Sequence, residues 1–384
     1  MKHHYPQRSL GRSPRVVSTS RRRFLQASAA ALSGLALSNC RRGISDVQTG
    51  STSNNGTASA QPGTLHIYTW ADYTDEGLAQ LFTERTGIEV VIDIYDSNEV
   101  MLAKMQAGGG DAYSIIYPSD YMVEEMIELG MLSELDHSKL QGLDTLFPQW
   151  QNPSYDPGNA HSIPMSWGTT GLLYNTTQLE IEPEDWSDLW DYQDLLFRRM
   201  TLLDDMREVI GASLRSLGYS YNSTNPDEIE AAYQLLVDLK PAIASFQSFG
   251  WEDQLLSGDL ALVMAYSVDA IAATLEDPSL IYVVPKSGSS LWTDTMVIPK
   301  SAPNPEAAYA WMNLFYEPQV SADVVSRLFF ATPIQPAFEL LPEDLQTNDD
   351  LFPPDEILAK CEGIAPVGEA IELYDRLWTE LASA

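Results

Sequence analysis

The sequence predicts an α/β protein with two domains. Its 384 residues are 44% hydrophobic, which is enough to bury a large core, and the chain is longer than an ordinary single domain. From Thr64 onward, β-compatible runs alternate with amphipathic helical segments, and short breakers separate them. This alternation is typical of a parallel or mostly parallel sheet covered by helices.

The first 40 residues are predicted to be an export signal. Residues 20–26 read SRRRFLQ, which matches the twin-arginine export pattern, and the apolar run at 24–37 is too short for a mature membrane-spanning helix. Residues 37–40 read LSNC and resemble a bacterial lipobox, so we expect lipidation at Cys40, with ordinary signal cleavage nearby as the alternative. Residues 41–63, rich in Ser, Thr, Asn and Gly, predict a flexible tether.

The charge is strongly acidic after the signal. Lys and Arg number 22 against 54 Asp and Glu, for a net charge of −32. The first 42 residues hold nine basic residues and no acids, so the remainder carries −41. Such a surface repels nucleic acid and favours cations, although solubility in a salty compartment is an alternative explanation. With only Cys40 and Cys361 present, we expect no intramolecular disulfide and a packed thiol at Cys361.

The first half begins with a strand that ends in aromatic and acidic residues. Residues 65–73 read LHIYTWADY, and Asp75 starts a helical pattern that Gly87 ends. Ser97 is predicted to cap the next helix, which the glycines at 108–110 end. Further expected elements are strands at 88–95 and 113–118, a helix at about 122–129, and a segment at 163–171 that crosses between the domains.

The second half repeats the arrangement of strand followed by acid. A short strand from Met200 precedes a helix for which Asp204 is the expected N-cap, leaving Asp205 and Glu208 one turn apart on one face. Further expected elements are a helix-rich cover at 183–199, strands at 261–265, 281–285 and 291–298, and helices at 226–239, 307–315 and 368–381.

Acidic, hydroxyl and aromatic side chains recur just beyond these strands. In open α/β sheets, ligands bind beyond the carboxyl ends of the strands, so these residues are candidates for a binding site. They are Trp70, Asp72, Tyr73, Ser119, Tyr121, Asp205, Glu208, Tyr266, Asp269, Trp292 and Asp294. None of them is basic. Carboxylates bind ammonium groups and aromatic faces cover methylenes, so the set predicts a site for an elongated organic cation.

Other interpretations of the acids stay open at this point. Asp205 and Glu208 could serve as a glycosidase acid and base, hold a metal, or balance a helix dipole. The sequence contains no zinc-protease helix motif, no phosphate-binding Gly-rich loop, no Gly-x-Ser-x-Gly elbow and no cysteine pair at metal spacing. We expect His66, His137 and His161 to be structural, and we predict no catalytic residue, no metal and no cofactor.

Several motifs resemble the bacterial periplasmic spermidine/putrescine-binding receptors of polyamine ABC importers. The resemblance covers nearly all of residues 64–381. Its motifs are YTWADY at 68–73, YDSNE at 95–99, PSDY at 118–121, SIP at 162–164, DDMRE at 204–208, LGY at 217–219 and WTD at 292–294. It implies a two-lobed type II periplasmic-binding-protein fold, with the ligand in the cleft between the lobes. We expect lobe 1 at 64–168 plus 292–338 and lobe 2 at 169–291 plus 339–384, in a monomer that docks on a membrane permease.

The resemblance also implies a role for each matching residue. One wall of the cleft would contain Trp70, Asp72, Tyr73, Ser119 and Tyr121, and the other Asp205, Glu208, Tyr266 and Asp269, with Trp292 and Asp294 near the crossing. Glu208 and Asp294 would bind amines, Trp70, Tyr266 and Trp292 would pack on the alkyl chain, and Phe330 stands where the family has a Tyr. Asp72 replaces a longer Glu, Tyr266 a Trp and Ile364 a Gln of spermidine-preferring members, while Asp269 resembles putrescine-preferring ones.

The predicted function is therefore that of an extracytoplasmic solute receptor. It would be exported to the periplasm by the twin-arginine route, bind putrescine and/or spermidine, and deliver it to an ABC importer, touching the membrane only through a lipid anchor. The alternatives are a receptor for another organic cation, such as thiamine or an amino-acid derivative, and a secreted glycoside hydrolase that uses the paired carboxylates.

Overall fold

The computed structural model of the protein describes residues 63–71, 73–95 and 97–383. The predicted signal, Cys40, the tether up to residue 62 and Asp72 lie outside the described residues. The strands are β1 Thr64–Trp70, β2 Glu89–Tyr95, β3 Ile115–Ile116, β4 Ser162–Asn175, β5 Met200–Leu202, β6 Ile243–Phe246, β7 Leu262–Tyr266, β8 Leu280–Val283 and β9 Leu291–Val297. The α-helices are α1 Glu76–Thr86, α2 Asn98–Gln106, α3 Asp120–Glu128, α4 Asp188–Asp191, α5 Met206–Ser216, α6 Pro226–Leu239, α7 Glu252–Ser257, α8 Ser267–Glu276, α9 Pro305–Phe315, α10 Pro318–Leu328, α11 Gln335–Phe338, α12 Glu343–Gln346, α13 Asp355–Leu358 and α14 Ile371–Ser383.

The strands follow the order β2-β1-β3-β9-β4-β7-β5-β6, with β8 paired to β4. Strand β1 pairs parallel with β2 and β3, and β5 pairs parallel with β6 and β7. In the centre, β4 pairs antiparallel with β7, β8 and β9, and β9 also runs antiparallel to β3. The expectation of a mostly parallel sheet is therefore wrong at the centre, because β4 carries the chain into the second half and β9 returns it.

Strand β4 joins the two halves. All its residues from Ser162 to Asn175 are buried. Residues 162–169 pair with β9, whereas 170–174 pair with β7. The segment predicted to cross between the domains lies within this strand, and the change of partner falls between Thr169 and Thr170.

Side-chain caps explain where several helices begin and end. The Asp75 carboxylate accepts from the backbone N–H of Leu78 at 2.6 Å, and Ser97 Oγ accepts from Val100 N at 3.2 Å. Gly87 ends α1 with a φ of 72°, the left-handed conformation that glycine adopts without a side-chain clash. These boundaries confirm the capping predictions at both helices.

Other predictions for individual elements are wrong. Asp205, not Asp204, is the N-cap of α5, because its carboxylate accepts from two backbone N–H groups of the first turn while Asp204 is exposed. Of the strand expected at 113–118, only the two residues of β3 form a strand. The segment expected to be helix-rich, 183–199, contains one α-helix, the single-turn α4. Strand β6 and helix α10 were not predicted.

Separate apolar cores fill the two halves. In the first half, a cluster around Ile67, Phe82 and Trp311 packs β1 against α1 and α9, and a smaller one covers the opposite face of the sheet. In the second half, a cluster that includes Leu214 and Tyr374 packs α5 against α14. Leu341, Leu345 and Leu351 belong to the first of these clusters, so we propose that the lobe boundary predicted at 338 lies after residue 351. No helix between residues 63 and 383, Asp72 and Asp96 aside, is long and apolar enough to cross a membrane.

Candidate functional site

The predicted site residues lie at the inner ends of both halves. Trp70 is the last residue of β1, and Ser119 directly precedes α3. Tyr266 ends β7 and Asp205 caps α5, while Trp292 and Asp294 lie on β9. The topology thus places the sequence motifs around the two central strands.

Asp294 is the buried acid of the first wall. Its side chain is 5% exposed, and Ser119 Oγ donates to its Oδ1 at 2.8 Å. Burial raises the pKa of Asp294 to about 6, although hydrogen bonding from Tyr73 and Ser119 and the neighbouring Trp70 lower it. The indole N–H of Trp70 lies close enough to Asp294 to lower its pKa. It is nevertheless buried without a well-aligned hydrogen-bond partner.

Aromatic rings surround this acid. The Trp70 and Tyr95 ring centroids are 4.5 Å apart, and those of Tyr73 and Phe330 are 5.6 Å apart. Phe330 is fully buried. The indole N–H of Trp292 is a second buried donor without a partner. Such rings present apolar faces and negative π-density to a bound cation.

A hydrogen-bonded network extends from Asp294 toward the opposite wall. Asn98 donates to Ser119 Oγ at 3.1 Å and to the Tyr121 hydroxyl at 3.0 Å. The Tyr121 hydroxyl in turn donates to Glu99 Oε1 at 3.1 Å. Asn98 therefore orients both predicted residues of this motif, Ser119 and Tyr121, at once.

Asp205 is the first acid of the second wall. Its Oδ1 accepts from Arg207 N at 2.9 Å and Glu208 N at 3.1 Å, which fixes it at the start of α5. Its Oδ2 accepts from the Tyr266 hydroxyl at 3.1 Å. Burial raises the pKa of Asp205, and the negative charge of Glu99 adds to the shift, while the hydrogen bonds that it accepts oppose it.

Glu208 is the second acid of this wall and is only 1% exposed. Thr170 Oγ1 donates to its Oε1 at 3.0 Å, and Ser290 Oγ lies 2.8 Å from each carboxylate oxygen. Burial and, to a lesser extent, the charge of Asp205 raise the pKa of Glu208 to about 8, against the lowering effect of Ser290, Thr170 and Arg207.

The two walls face each other across a short distance. Asp205 and Tyr266 of the second wall are close enough to Tyr121 for electrostatic interaction. Burial raises the pKa of Tyr73, and the charges of Asp294 and, across the cleft, Asp269 add to the shift. The Tyr266 and Trp292 rings meet edge to face with centroids 6.3 Å apart. The predicted ligand residues therefore belong to one connected cluster, with the exception of Asp72, which lies outside the described residues. The role of this cluster in binding stays a prediction.

Gly168 permits a close approach at the crossing. A Cβ atom at this position would lie 2.2 Å from a Trp292 ring carbon and 2.4 Å from Ser267 Oγ. Neither atom belongs to a flexible side-chain tip that could move freely, so only glycine lets the Trp292 ring lie against β4.

Sequence reasoning missed several neutral polar residues of the site. Asn98, Thr170 and Ser290 do not follow the strand-then-acid pattern, although Asn98 lies inside the motif at 95–99 that carries the resemblance. Asp120 was passed over as well: it is 5% exposed, and burial together with the charge of Asp294 raises its pKa. Asp120 had a signal in the sequence, because it lies between the predicted residues Ser119 and Tyr121.

The arrangement suits the binding of an organic cation better than the binding of a metal ion or acid–base catalysis. In the described part of the chain, no three His, Cys, Asp or Glu side chains are grouped as metal ligands. Asp205 is committed to the helix cap and Glu208 to two hydroxyls, which is a poor arrangement for a glycosidase pair that must exchange protons with a sugar and water.

Cys361 is half-buried, and burial raises the pKa of its thiol.

Comparisons with known proteins agree with this geometry. Residues 77–353 match the family described as bacterial extracellular solute-binding protein. The chain is 36% identical to the spermidine/putrescine-binding periplasmic protein of Escherichia coli, covering 83% of this chain and 91% of that protein. It is 31% identical to a putrescine-binding periplasmic protein of Pseudomonas aeruginosa, covering 83% and 92%.

A solved structure is also similar. The spermidine/putrescine ABC transporter substrate-binding protein of Streptococcus pneumoniae superposes with a TM-score of 0.75 at 36% identity, covering 83% of this chain and 98% of that one. The likeness confirms the predicted α/β, two-lobed periplasmic-binding-protein fold. None of these relatives is a glycoside hydrolase.

Proposed function

Because the chain belongs to the family of bacterial extracellular solute-binding proteins, we propose that it is a polyamine receptor of an ABC importer. It binds putrescine and/or spermidine in the cleft between its lobes and delivers the ligand to a membrane permease, without turnover. The named functions of the relatives support the ligand class and the transporter partner.

One observation carries the proposal. Asp205, Glu208 and Asp294 are three carboxylates of one cluster, and none of them takes part in an ion pair within the described residues. Arg207 is the basic residue that lowers the pKa of Glu208, yet its terminal nitrogens bond to Ala365 O and Asn222 Oδ1 instead. A buried anionic cluster without matching cations favours a ligand that brings positive charge.

The presence of acids on both walls favours a polyamine over a compact cation. The Trp70 ring lies near Asp294, and Tyr266, which bonds to Asp205, meets Trp292 edge to face. Ammonium groups at the two ends of an alkyl chain would reach acids on both walls, and each cation–π contact adds about 0.5 to 2 kcal/mol. Micromolar affinity, about −8 kcal/mol, is within reach of such contacts.

Export and anchoring belong to the same proposal. The twin-arginine pattern at 20–26 and the lipobox-like residues 37–40 support a periplasmic, lipid-anchored protein. Growth with radiolabelled palmitate tests the anchor: the label should enter the wild type and be lost in Cys40→Ala. Equal labelling of both proteins would contradict lipidation at Cys40.

Isothermal titration of residues 43–384 with putrescine, spermidine and spermine, at physiological salt, tests the proposed ligand. We expect saturable one-to-one binding in the micromolar range or tighter for at least one of them, and the order of affinities identifies the preferred chain length. No heat with any polyamine would overturn the ligand class, and titration with thiamine or amino-acid derivatives would then test another organic cation.

A further inference from the structure

Glu208 is bonded to two residues of its own lobe that lie directly next to the lobe crossings. Its carboxylate accepts from Thr170 of β4 and from Ser290, the residue directly before β9. Each of these hydroxyls has one hydrogen to donate, and both donate to this carboxylate.

Thr170 and Ser290 lie where the chain changes from one lobe to the other. Thr169 pairs with Leu291 of β9, while Thr170 already pairs with Tyr266 of β7. The backbones of Thr170 and Ser290 also meet, with Thr170 N donating to Ser290 O at 3.4 Å. A change in the angle between the lobes would therefore bend the chain next to both residues.

Asp205, another predicted ligand residue, lies one turn from Glu208 at the start of α5. A cation bound at Asp205 would stabilise the ionised form of Glu208, because an opposite charge nearby favours a carboxylate over a carboxylic acid. Hydrogen bonds to an ionised acceptor are roughly twice as strong as those to a neutral one. The arriving charge would therefore tighten the bonds from Thr170 and Ser290.

We infer that Thr170 and Ser290 are positioning residues that act through Glu208 and couple the arrival of an ammonium group at the cleft to the junction of the crossing strands. The inference rests on the proposed binding of polyamines. It adds to that proposal two residues which would not touch the ligand and a route by which the ligand's charge reaches the hinge.

Proton release on binding follows from this coupling. The charged or titratable groups that face Glu208 are Asp205, Arg207, Tyr221, Tyr266 and Tyr282. Burial raises the pKa of the three tyrosines above 10, so they stay neutral near pH 7.5, whereas Glu208, with a pKa of about 8, changes charge near this pH. Burial also raises the pKa of Asp205, and the Glu208→Gln variant separates the two acids. Since burial holds the pKa of Glu208 near 8 in the empty protein, a cation should expel roughly half a proton or more at pH 7.5.

The test is titration calorimetry with putrescine and spermidine at pH 7.5 in two buffers of different ionisation enthalpy, phosphate and HEPES. For the wild type, we expect the two buffers to give different heats that correspond to proton release, and for Glu208→Gln we expect most of that difference to vanish. Thr170→Val and Ser290→Ala should weaken binding about three- to tenfold. Each should also move the pH at which affinity reaches its plateau upward by at least half a unit, because the charged form loses a donor.

Matched controls separate coupling from lost stability. Thr201 and Ser213 are fully buried hydroxyl residues of the second half whose hydroxyls donate to backbone oxygens of Ser245 and Ala232. Thr201→Val and Ser213→Ala should lower the melting temperature but leave the pH profile of binding in place.

Three outcomes would overturn the inference. Binding with equal heats in both buffers, or pH profiles of Thr170→Val and Ser290→Ala that superimpose on the wild type, would leave the receptor proposal intact and remove the coupling. Absence of any polyamine binding by the wild type would remove both.

Discussion

The two walls of the cleft stabilise their buried acids in different ways. Asp294 lies on a strand and is bonded by Ser119 and Tyr73, which belong to its own wall. Glu208 lies in the first turn of a helix and is bonded by Thr170 of β4 and by Ser290, the residue before β9. Asp294 thus lies on a crossing strand itself and is held by side chains of the first half, whereas Glu208 reaches the crossing only through the hydroxyls of Thr170 and Ser290.

Removing the acid of the first wall should have the largest effect. Asp294→Asn keeps the size of the side chain but removes its charge, so we expect polyamine affinity to fall at least tenfold, measured by calorimetry at pH 7.5. The estimate follows from the roughly 1.5 to 3 kcal/mol that a hydrogen bond to a charged group contributes. Asp323→Asn, at an exposed helix position, is the control and should bind like the wild type.

The same variant also tests the burial of this acid. Because the pKa of Asp294 is raised to about 6 in the folded protein, its contribution to stability is present below the unfolded pKa near 4 and is lost as pH rises through 6. The melting temperature of the empty protein at pH 8 should therefore not drop in Asp294→Asn. Unchanged affinity, or a large loss of stability at that pH, would show that the acid has a structural role instead.

The pH dependence of binding should separate the two walls next. Between pH 7.5 and 5, the affinity of the wild type should fall by about tenfold or more, because Asp294 becomes protonated and because Glu208, already protonated in most empty molecules at pH 7.5, gives up its proton to a bound cation less readily as the pH falls. In Asp294→Asn, the part of the fall centred near pH 6 should disappear. A flat profile in the wild type would mean that neither acid meets the ligand's charge.

A smaller effect is expected for the hydroxyl of Tyr266. Tyr266→Phe removes the donor to Asp205 but keeps the ring, so binding should weaken about fivefold, which corresponds to the ~1 kcal/mol of an ordinary hydrogen bond. Tyr309→Phe removes a buried hydroxyl that accepts from Asp136 N outside the cleft and should leave binding unchanged. Equal losses in both variants would point to a general effect on folding.

Local signals in the sequence were sufficient for several elements. Pro226 at the first helical position and the apolar periodicity up to Leu239 delimit α6, and the structure has these same bounds. Asp75 and Ser97 likewise mark helix starts that local hydrogen bonds determine. Such features depend on residues within one turn, so a single sequence contains them.

Features that depend on distant partners were not accessible in the same way. Asp204 and Asp205 are equivalent caps in the sequence, and the choice between them involves the Tyr266 hydroxyl, 61 residues away. The antiparallel centre of the sheet and the four-residue strand β6 likewise depend on pairing across the fold. In the site, the acids and rings were predictable as a class, while Thr170 and Ser290 are neutral residues whose importance comes only from the acid that they contact.

The burial of β4 from end to end has a consequence for how the protein unfolds. This strand contributes side chains to the cores of both halves, since Trp167 packs in the first and Leu172 in the second. Melting one half alone would expose its part of the strand and release the ladders that it forms with β7, β8 and β9. Two cores that share a strand should therefore lose their structure together, and scanning calorimetry of the empty protein should record one cooperative transition.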